Sequence, residues 1–171
     1  MHPSAPEPWP TEAAGGRIGP FVLRRRLGTG GSAEVWEAVM EGPGGFQKPV
    51  ALKILRDALQ RDPAWRGHFL REARLGARLQ HPNLVSTLLV HEVDGRTCVA
   101  LELVRGCTAS DLVRRRKGPL PANALLEVAL QTVDALDHIH TFTLEGRPAG
   151  VIHRDVKPSN LLLDVHGGVK L

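Results

Sequence analysis

The sequence predicts an α+β chain built as two lobes. Three observations carry this: strand-like runs fill the part before Gly106, a single amphipathic helix interrupts them, and helical spacing dominates the remainder of the chain. Phe21–Leu27 reads as a strand and leads into a glycine cluster at Gly28, Gly30 and Gly31. Periodicity alone leaves Glu34–Met40 open between strand and helix. Glu41–Lys48 is a glycine-rich turn, and Pro49–Leu55 a short apolar strand. Asp62 then stands as an N-cap with Pro63 at the first helical position, and Trp65, Phe69 and Ala73 give that helix one apolar face through about Leu79. His81-Pro82-Asn83 ends it. Leu84–Val93 and Thr97–Val104 come next as strands joined at Asp94–Gly95, a strong hairpin signal.

Beyond Gly106 a short helix is expected over Ser110–Arg116 and a long one over Ala122–His140. On the long helix Leu126, Ala129, Leu130, Val133 and Leu136 share one side, which reads as core packing. Leu144–Gly150 is a loop leading to a strand at Val151, and Val169–Leu171 reads as part of another strand. The first twenty residues hold five of the thirteen prolines and three glycines, the composition of a flexible leader. The expected division is 1–20 leader, 21–104 first lobe with its connection, and 105–171 second lobe.

With 171 residues the chain is long enough to bury a real core. Apolar stretches such as Leu84–Val90 are far short of the roughly 18–20 residues that span a bilayer. Met1–Pro10 lacks the cationic start and apolar run of a secretory signal. Two cysteines, Cys98 and Cys107, make neither a disulfide framework nor a four-ligand zinc site, so a reducing, cytoplasmic setting is expected. Net charge is +4, with arginine supplying 17 of the 22 basic residues. The runs Arg24–Arg26 and Arg114–Lys117 lie in separate segments, and seven aromatics without tyrosine leave little for base stacking. No nucleic-acid partner is expected.

Three motifs carry chemistry. In Leu27-Gly28-Thr29-Gly30-Gly31-Ser32-Ala33-Glu34-Val35, glycines after a strand allow backbone N–H groups to approach phosphate oxygens. The same letters fit a dinucleotide fingerprint or a plain turn, and this segment alone leaves all three open. Val50-Ala51-Leu52-Lys53 ends an apolar strand in a lysine, costly unless its ammonium meets an anion or snorkels to water. Glu72 on the next helix could hold it, although by itself Glu72 reads as a surface glutamate. His153-Arg154-Asp155-Val156-Lys157-Pro158-Ser159-Asn160 gathers a basic pair, a carboxylate, a lysine and an amide in eight positions. A polar loop meeting that whole pattern by chance is improbable.

Together these residues resemble the eukaryotic-type (Hanks-type) serine/threonine protein kinases, in particular their bacterial members, over about residues 21–171. His81-Pro82-Asn83 and Leu101-Glu102-Leu103-Val104, which looks like the hinge, belong to the resemblance. It implies a protein-kinase-like two-lobed fold with an antiparallel sheet and one helix in the first lobe and a partial helical second lobe. It implies ATP and Mg2+ as cofactors and a protein carrying a Ser/Thr acceptor as substrate.

By that resemblance Leu27, Gly28, Thr29, Gly30, Gly31, Ser32, Ala33 and Glu34 cover the phosphates, while Val35 and Ala51 sandwich adenine. Lys53, held by Glu72, contacts the α- and β-phosphates. Leu101 is the gatekeeper, Glu102 and Val104 pair with the edge of adenine, and Leu162 completes the ATP-binding set. Asp155 orients or accepts the hydroxyl proton, Lys157 neutralises the γ-phosphate and Asn160 ligates magnesium. Lys157 is the serine/threonine-type choice, and Arg154 suggests control by a phosphorylated segment.

Two departures stand out. Ala33 replaces the third glycine of the phosphate loop, with modest expected effect. The 171 residues contain no Asp-Phe-Gly triplet. The expectation is a kinase truncated before that motif and the rest of its second lobe, transferring phosphate poorly or not at all. The alternative is an inactive nucleotide- or partner-binding module; a small-molecule phosphotransferase is less well matched by Lys157. A nicotinamide-dependent enzyme would leave Lys53 and the 153–160 segment without a role.

Overall fold

The computed structural model describes residues 15–93 and 95–171. The expected leader therefore lies largely outside the described residues, as does the Asp94 half of the hairpin turn. The chain divides into two units, 1–77 with 87–103 and 78–86 with 104–171. The segment 78–86 falls inside the expected first lobe by number but belongs to the second unit.

The first unit is a six-stranded antiparallel sheet. Its strands are β1 (Arg17–Ile18), β2 (Phe21–Thr29), β3 (Ala33–Glu41), β4 (Gln47–Leu55), β5 (Thr87–Val93) and β6 (Arg96–Glu102), in the order β1-β2-β3-β4-β6-β5. The ambiguous Glu34–Met40 run is strand, because it pairs on both sides, with β2 and with β4. Arg17 and Ile18 pair with Val22 and Phe21. Ile18 is buried in the core, so ordered structure starts before residue 21. One apolar side chain in a Pro/Gly-rich stretch was enough to add a strand.

Side-chain alternation divides this unit into two packed layers. Trp36, Ala38, Val50, Leu52, Ile54, Cys98 and Ala100 join Ile18, Phe21 and Leu23 in one core cluster. The opposite parity, Ala33, Leu55 and Val99, packs with Phe69 and Ala73. Those two come from α2 (Pro63–Gly76), which is preceded by a short, unanticipated α1 (Asp57–Gln60). Asp62 caps α2 by accepting from the N–H groups of Ala64 at 2.8 Å and Trp65 at 3.4 Å, with Pro63 where its missing N–H costs nothing. Trp65 shares the stripe of Phe69 and Ala73 but is exposed, because it lies in the first turn and the buried contacts begin one turn later. Gln60 is buried and satisfied: it donates to the Leu55 carbonyl at 2.6 Å and accepts from the Thr97 N–H at 3.0 Å.

The second unit contains β7 (Gly106–Thr108), α3 (Ala109–Arg115), α4 (Ala122–Thr141), the hairpin β8 (Thr143–Leu144) and β9 (Arg147–Pro148), then β10 (Leu162–Asp164) and β11 (Val169–Lys170). The expected loop at Leu144–Gly150 includes this hairpin, turned at Glu145 (φ 52°) and Gly146 (φ 76°), and Val151 is not a strand. β10 lies between β11 and β7. Asn83 anchors segment 78–86 here, its side-chain amide donating to Gln131 Oε1 and to the Val169 carbonyl, both at 2.8 Å. Gln131 Oε1 also accepts the Val169 N–H at 2.8 Å, and the backbones of Asn83 and Val85 bond Leu171. These bonds explain why 78–86 sits with α4 and β11 rather than with the sheet.

The apolar stripe of α4 corrects an expectation. Thr132, Ala135 and Ile139 are the buried face, whereas Leu126, Leu130 and Val133 are 59%, 54% and 62% exposed, Ala129 is exposed and Leu136 half-buried. Helical spacing identifies which residues share a face, and only neighbouring elements decide which face is covered.

Gly106 is fixed by its surroundings. A Cβ there would overlap the Leu163 carbonyl in the paired strand. Gly106→Ala is expected to destabilise the chain by about 1–3 kcal/mol through that clash. Gly31→Ala, whose Cβ meets nothing within 4 Å, should leave stability unchanged or slightly raised. Urea unfolding of both variants checks this; equal loss in the two would refute the steric account.

Candidate active site

Strand register builds the candidate residues of the first unit. Val35 pairs with Lys53, Lys53 with Val99, and Ala51 with Leu101. In a pleated sheet partners across a ladder point to the same side, so Val35, Ala51, Lys53 and Leu101 share one face, the face on which α2 packs. Lys53 Nζ lies 2.6 Å from Glu72 Oε1 and 5.6 Å from the Phe69 ring centroid. The lysine side chain is 27% exposed and the glutamate 69%, so the pair contributes little to stability. Its effect is positional: the buried Phe69 supports the lysine stem and Glu72 fixes the ammonium.

At the end of this face β2 and β3 meet around Gly28, Thr29, Gly30, Gly31 and Ser32. Gly28 pairs with Val35 and Thr29 with Glu34, and the Gly30 N–H donates to the Ala33 carbonyl at 2.8 Å. Gly28, Gly30 and Gly31 all lack a positive φ, so backbone conformation does not require glycine. A Cβ on Gly28 or Gly31 would meet nothing within 4 Å, and on Gly30 only the Ala33 carbonyl at 3.5 Å. Neither packing nor backbone conformation demands glycine here, and the bare positions leave the backbone open to close approach. Ala33 has its methyl buried with Leu55, Phe69, Ala73 and Val99, which accounts for the departure from glycine. Leu27 is exposed beside the loop, and Glu34 turns its carboxylate to accept from Trp36 Nε1 at 3.1 Å. Glu102 closes β6, and Val104 stands at the start of the second unit, half-buried.

A separate cluster lies wholly within the other unit. Asp155, Lys157 and Asn160 form one cluster. Lys157 Nζ lies 2.8 Å from each oxygen of the Asp155 carboxylate. Asn160 Nδ2 donates at 2.8 Å to both the carboxylate and the backbone carbonyl of Asp155. A 3-10 turn, Pro158–Asn160, brings the amide back to the aspartate, with Pro158 starting the turn. The Asp155 N–H reaches His153 Nδ1 at 3.4 Å. Arg154 is held at φ 65°, a conformation non-glycine residues seldom adopt. The hydrogen bond from Lys157, then that from Asn160, keeps the Asp155 carboxyl below the usual aspartate range. Leu162 pairs with Thr108 and with Lys170, placing it directly after the cluster.

This cluster holds an ionised carboxylate ready to accept a proton, a cation beside it, and an amide whose own oxygen is not used in these bonds. Among the described residues no group of three His, Cys, Asp or Glu side chains could hold a metal by itself. The Asn160 amide oxygen could serve a hard cation such as Mg2+, with the other ligands supplied by ligand oxygens and water. Sequence reasoning missed Phe69 under Lys53, the Trp36–Glu34 bond, and Gly106. Phe69 was visible as a helix-stripe residue, but its position beneath the lysine was not.

Residues 21–171 match the protein kinase domain family. The chain is 36% identical over 157 residues to the tyrosine-protein kinase MasK of Myxococcus xanthus, covering 90% of this chain and 24% of the relative. It is 38% identical over 149 residues to the serine/threonine-protein kinase PknH of Mycobacterium tuberculosis, covering 87% and 22%. The chain thus spans about a quarter of the length of these relatives. Among solved structures, the PknI kinase domain of M. tuberculosis superposes with a TM-score of 0.71 at 30% identity, covering 94% of this chain and 60% of that one. The apo form of PpkA-294 matches the fold with a TM-score of 0.74 at 22% identity.

Asp155 is expected to titrate below ordinary aspartates, and Lys157→Met to move it upward. Folding lowers this pKa, so the cluster's contribution to stability is present above the unfolded aspartate value and is lost as pH falls through the folded one. Carboxylate NMR titration checks both; superimposable curves for the two proteins would contradict the ion pair.

Proposed function

This chain belongs to the protein kinase domain family, and on that premise we propose that it is the ATP-handling part of a serine/threonine protein kinase. The observation that carries the reading is the pairing of Lys53 with Glu72 on the same face as Val35 and Ala51, next to glycines whose side-chain space is empty. A backbone loop open to close approach and a fixed ammonium suit a polyphosphate; an apolar face of Val35, Ala51 and Leu101 suits a purine. The second unit supplies the acceptor chemistry.

In this mechanism Lys53 holds the α- and β-phosphates and Glu72 holds Lys53. Asp155, kept ionised by Lys157 and Asn160, orients the substrate hydroxyl and takes its proton as that oxygen bonds to the γ-phosphorus. The bond from phosphorus to the β–γ bridging oxygen breaks, with ADP leaving. Lys157 shifts part of its charge from Asp155 to the transferring phosphoryl group. Asn160 would hold magnesium, which supplies charge neutralisation on the phosphates when bound. Positioning and charge do most of the work in phosphoryl transfer, which these residues match.

The acceptor is proposed as Ser or Thr, on Lys157 and on relatives carrying the serine/threonine name; MasK carries the tyrosine name. No helix of the described residues is long and apolar enough to cross a membrane. Both cysteines are free, Cys98 with its thiol pushed up to about 12 by burial, which supports the cytoplasmic part of the reading. An inactive, nucleotide- or partner-binding role is the second reading. It is favoured by the Leu126–Leu130–Val133 stripe, which is uncovered among the described residues and which a partner could cover.

Lys53→Met should weaken ATP–magnesium binding about 10- to 100-fold, the loss expected for charge-assisted bonds. Asp155→Ala should leave nucleotide binding within about twofold, since that carboxylate serves the acceptor. Isothermal titration of the three proteins measures both. Radiolabelled transfer to matched Ser and Tyr peptides then separates the readings: slow, Asp155-dependent labelling of the Ser peptide supports the kinase, and binding without transfer the second reading. ATP binding that is indifferent to Lys53 would overturn the nucleotide assignment.

A further inference from the structure

The basic run Arg114–Lys117 has no part in phosphoryl transfer, yet the fold fixes its position. Thr108 and Asp111 form a capping box at the start of α3: the Asp111 N–H donates to Thr108 Oγ1 at 3.0 Å and the Thr108 N–H to Asp111 Oδ2 at 3.4 Å. The preceding strand β7 pairs with β10, and the Ala109 N–H donates to the Leu161 carbonyl at 2.8 Å. The N-terminal end of α3 is thereby tied to the residue after Asn160. At about 1.5 Å per residue, Arg115 lies roughly 9 Å along the helix from that tie. An extended peptide covers this span in roughly three residues.

The cations at the other end exceed what the helix needs. Arg114 is already bonded to Asp111 Oδ1 at 2.6 Å. A helix C-terminus favours positive charge, and one more cation satisfies it. Arg115, Arg116 and Lys117 occupy the last helical position, the C-cap and the next residue, all exposed and without an ion pair among the described residues. Three adjacent unpaired cations repel one another, and an anionic chain lying against them relieves that repulsion. Val113, 60% exposed, gives the patch an apolar edge. Residues 105–121 contain no aromatic side chain on which a base could stack, which favours a peptide over a nucleic acid.

We infer that Arg115, Arg116 and Lys117 dock an acidic segment of the protein substrate, a run of Asp or Glu a few residues from the acceptor hydroxyl. This rests on the kinase reading and specifies its substrate class. Three exposed ion pairs, each worth about a factor of two, amount to about a tenfold preference for acidic over neutral peptides.

The test uses the 171-residue chain and fluorescein-labelled Ser peptides with four aspartates before or after the serine, matched against peptides with four glutamines. Anisotropy should show at least one acidic peptide binding about tenfold tighter than its neutral match. That preference should fall as NaCl rises from about 50 to about 200 mM. It should vanish in the Arg115→Glu/Arg116→Glu/Lys117→Glu protein. The Gln triple, with a thermal melt matching wild type, serves if the reversed protein misfolds. Equal affinities, or a preference surviving the substitutions, overturns the proposal. An oligothymidylate of equal charge binding as tightly as the acidic peptide also overturns it and reassigns the patch to nucleic acid. ATP titration of the same samples distinguishes the two failures: Lys53-dependent ATP binding without peptide preference removes only the docking surface, whereas peptide preference without ATP binding removes the kinase reading.

Discussion

The register of β3, β4 and β6 is the constraint on which the first unit depends. Val35 opposite Lys53 and Ala51 opposite Leu101 put the side chains proposed to face a purine and the ammonium proposed to meet phosphates on one side of the sheet. A slip of one residue would bury Lys53 in the Trp36–Leu52 layer and turn Leu52 toward α2. The apolar parity on each face makes that slip costly, because both layers are filled. Core packing and ligand chemistry thus share one determinant. The α2 helix then needs only to rest Phe69 and Ala73 on the sheet for Glu72 to reach the lysine.

The second unit relies on hydrogen bonds more than on burial. Asn83 and Gln131 tie together a loop, a helix and a strand through four polar contacts among the described residues: two to the Val169 backbone, one to Gly167 and one between the two side chains. The 153–160 segment is held by its own side chains: Asp155 is the shared acceptor of Lys157 and Asn160. Such a loop keeps its geometry while exposed to solvent, which suits the acceptor role proposed for it. The two units therefore solve different problems, one a rigid apolar face and the other an accessible charged cluster.

Much of this was legible from residue order. The Asp62–Pro63 helix start, the glycine loop, the strand-end Lys53 and the Asp155–Asn160 set could be read because each rests on short-range chemistry: a cap, a turn, a strand end or a fixed spacing of charges. Glu72, nineteen residues from Lys53, by itself reads as a surface glutamate. Ile18 reads as leader because one apolar residue among prolines and glycines carries no periodicity. Glu34–Met40 could not be assigned because strand and helix patterns coincide over seven residues; pairing with two neighbours resolved it. The exposed Leu126–Val133 stripe misleads for the opposite reason, since strong periodicity implies a partner that the described residues do not provide.

By itself the sequence determined which chemical groups this protein has and how they are grouped along the chain: a bare glycine loop, a strand-end lysine, a carboxylate with its lysine and amide. These are local properties, set by spacings of a few residues. Only the tertiary structure decided that Glu72 reaches Lys53 over a buried Phe69, that segment 78–86 belongs with α4, that Gly106 must lack a side chain, and that the N-terminal end of α3 is anchored to the residue after Asn160. Each depends on contacts between residues far apart in the chain, where packing and hydrogen-bond satisfaction choose among arrangements that local propensity leaves equal.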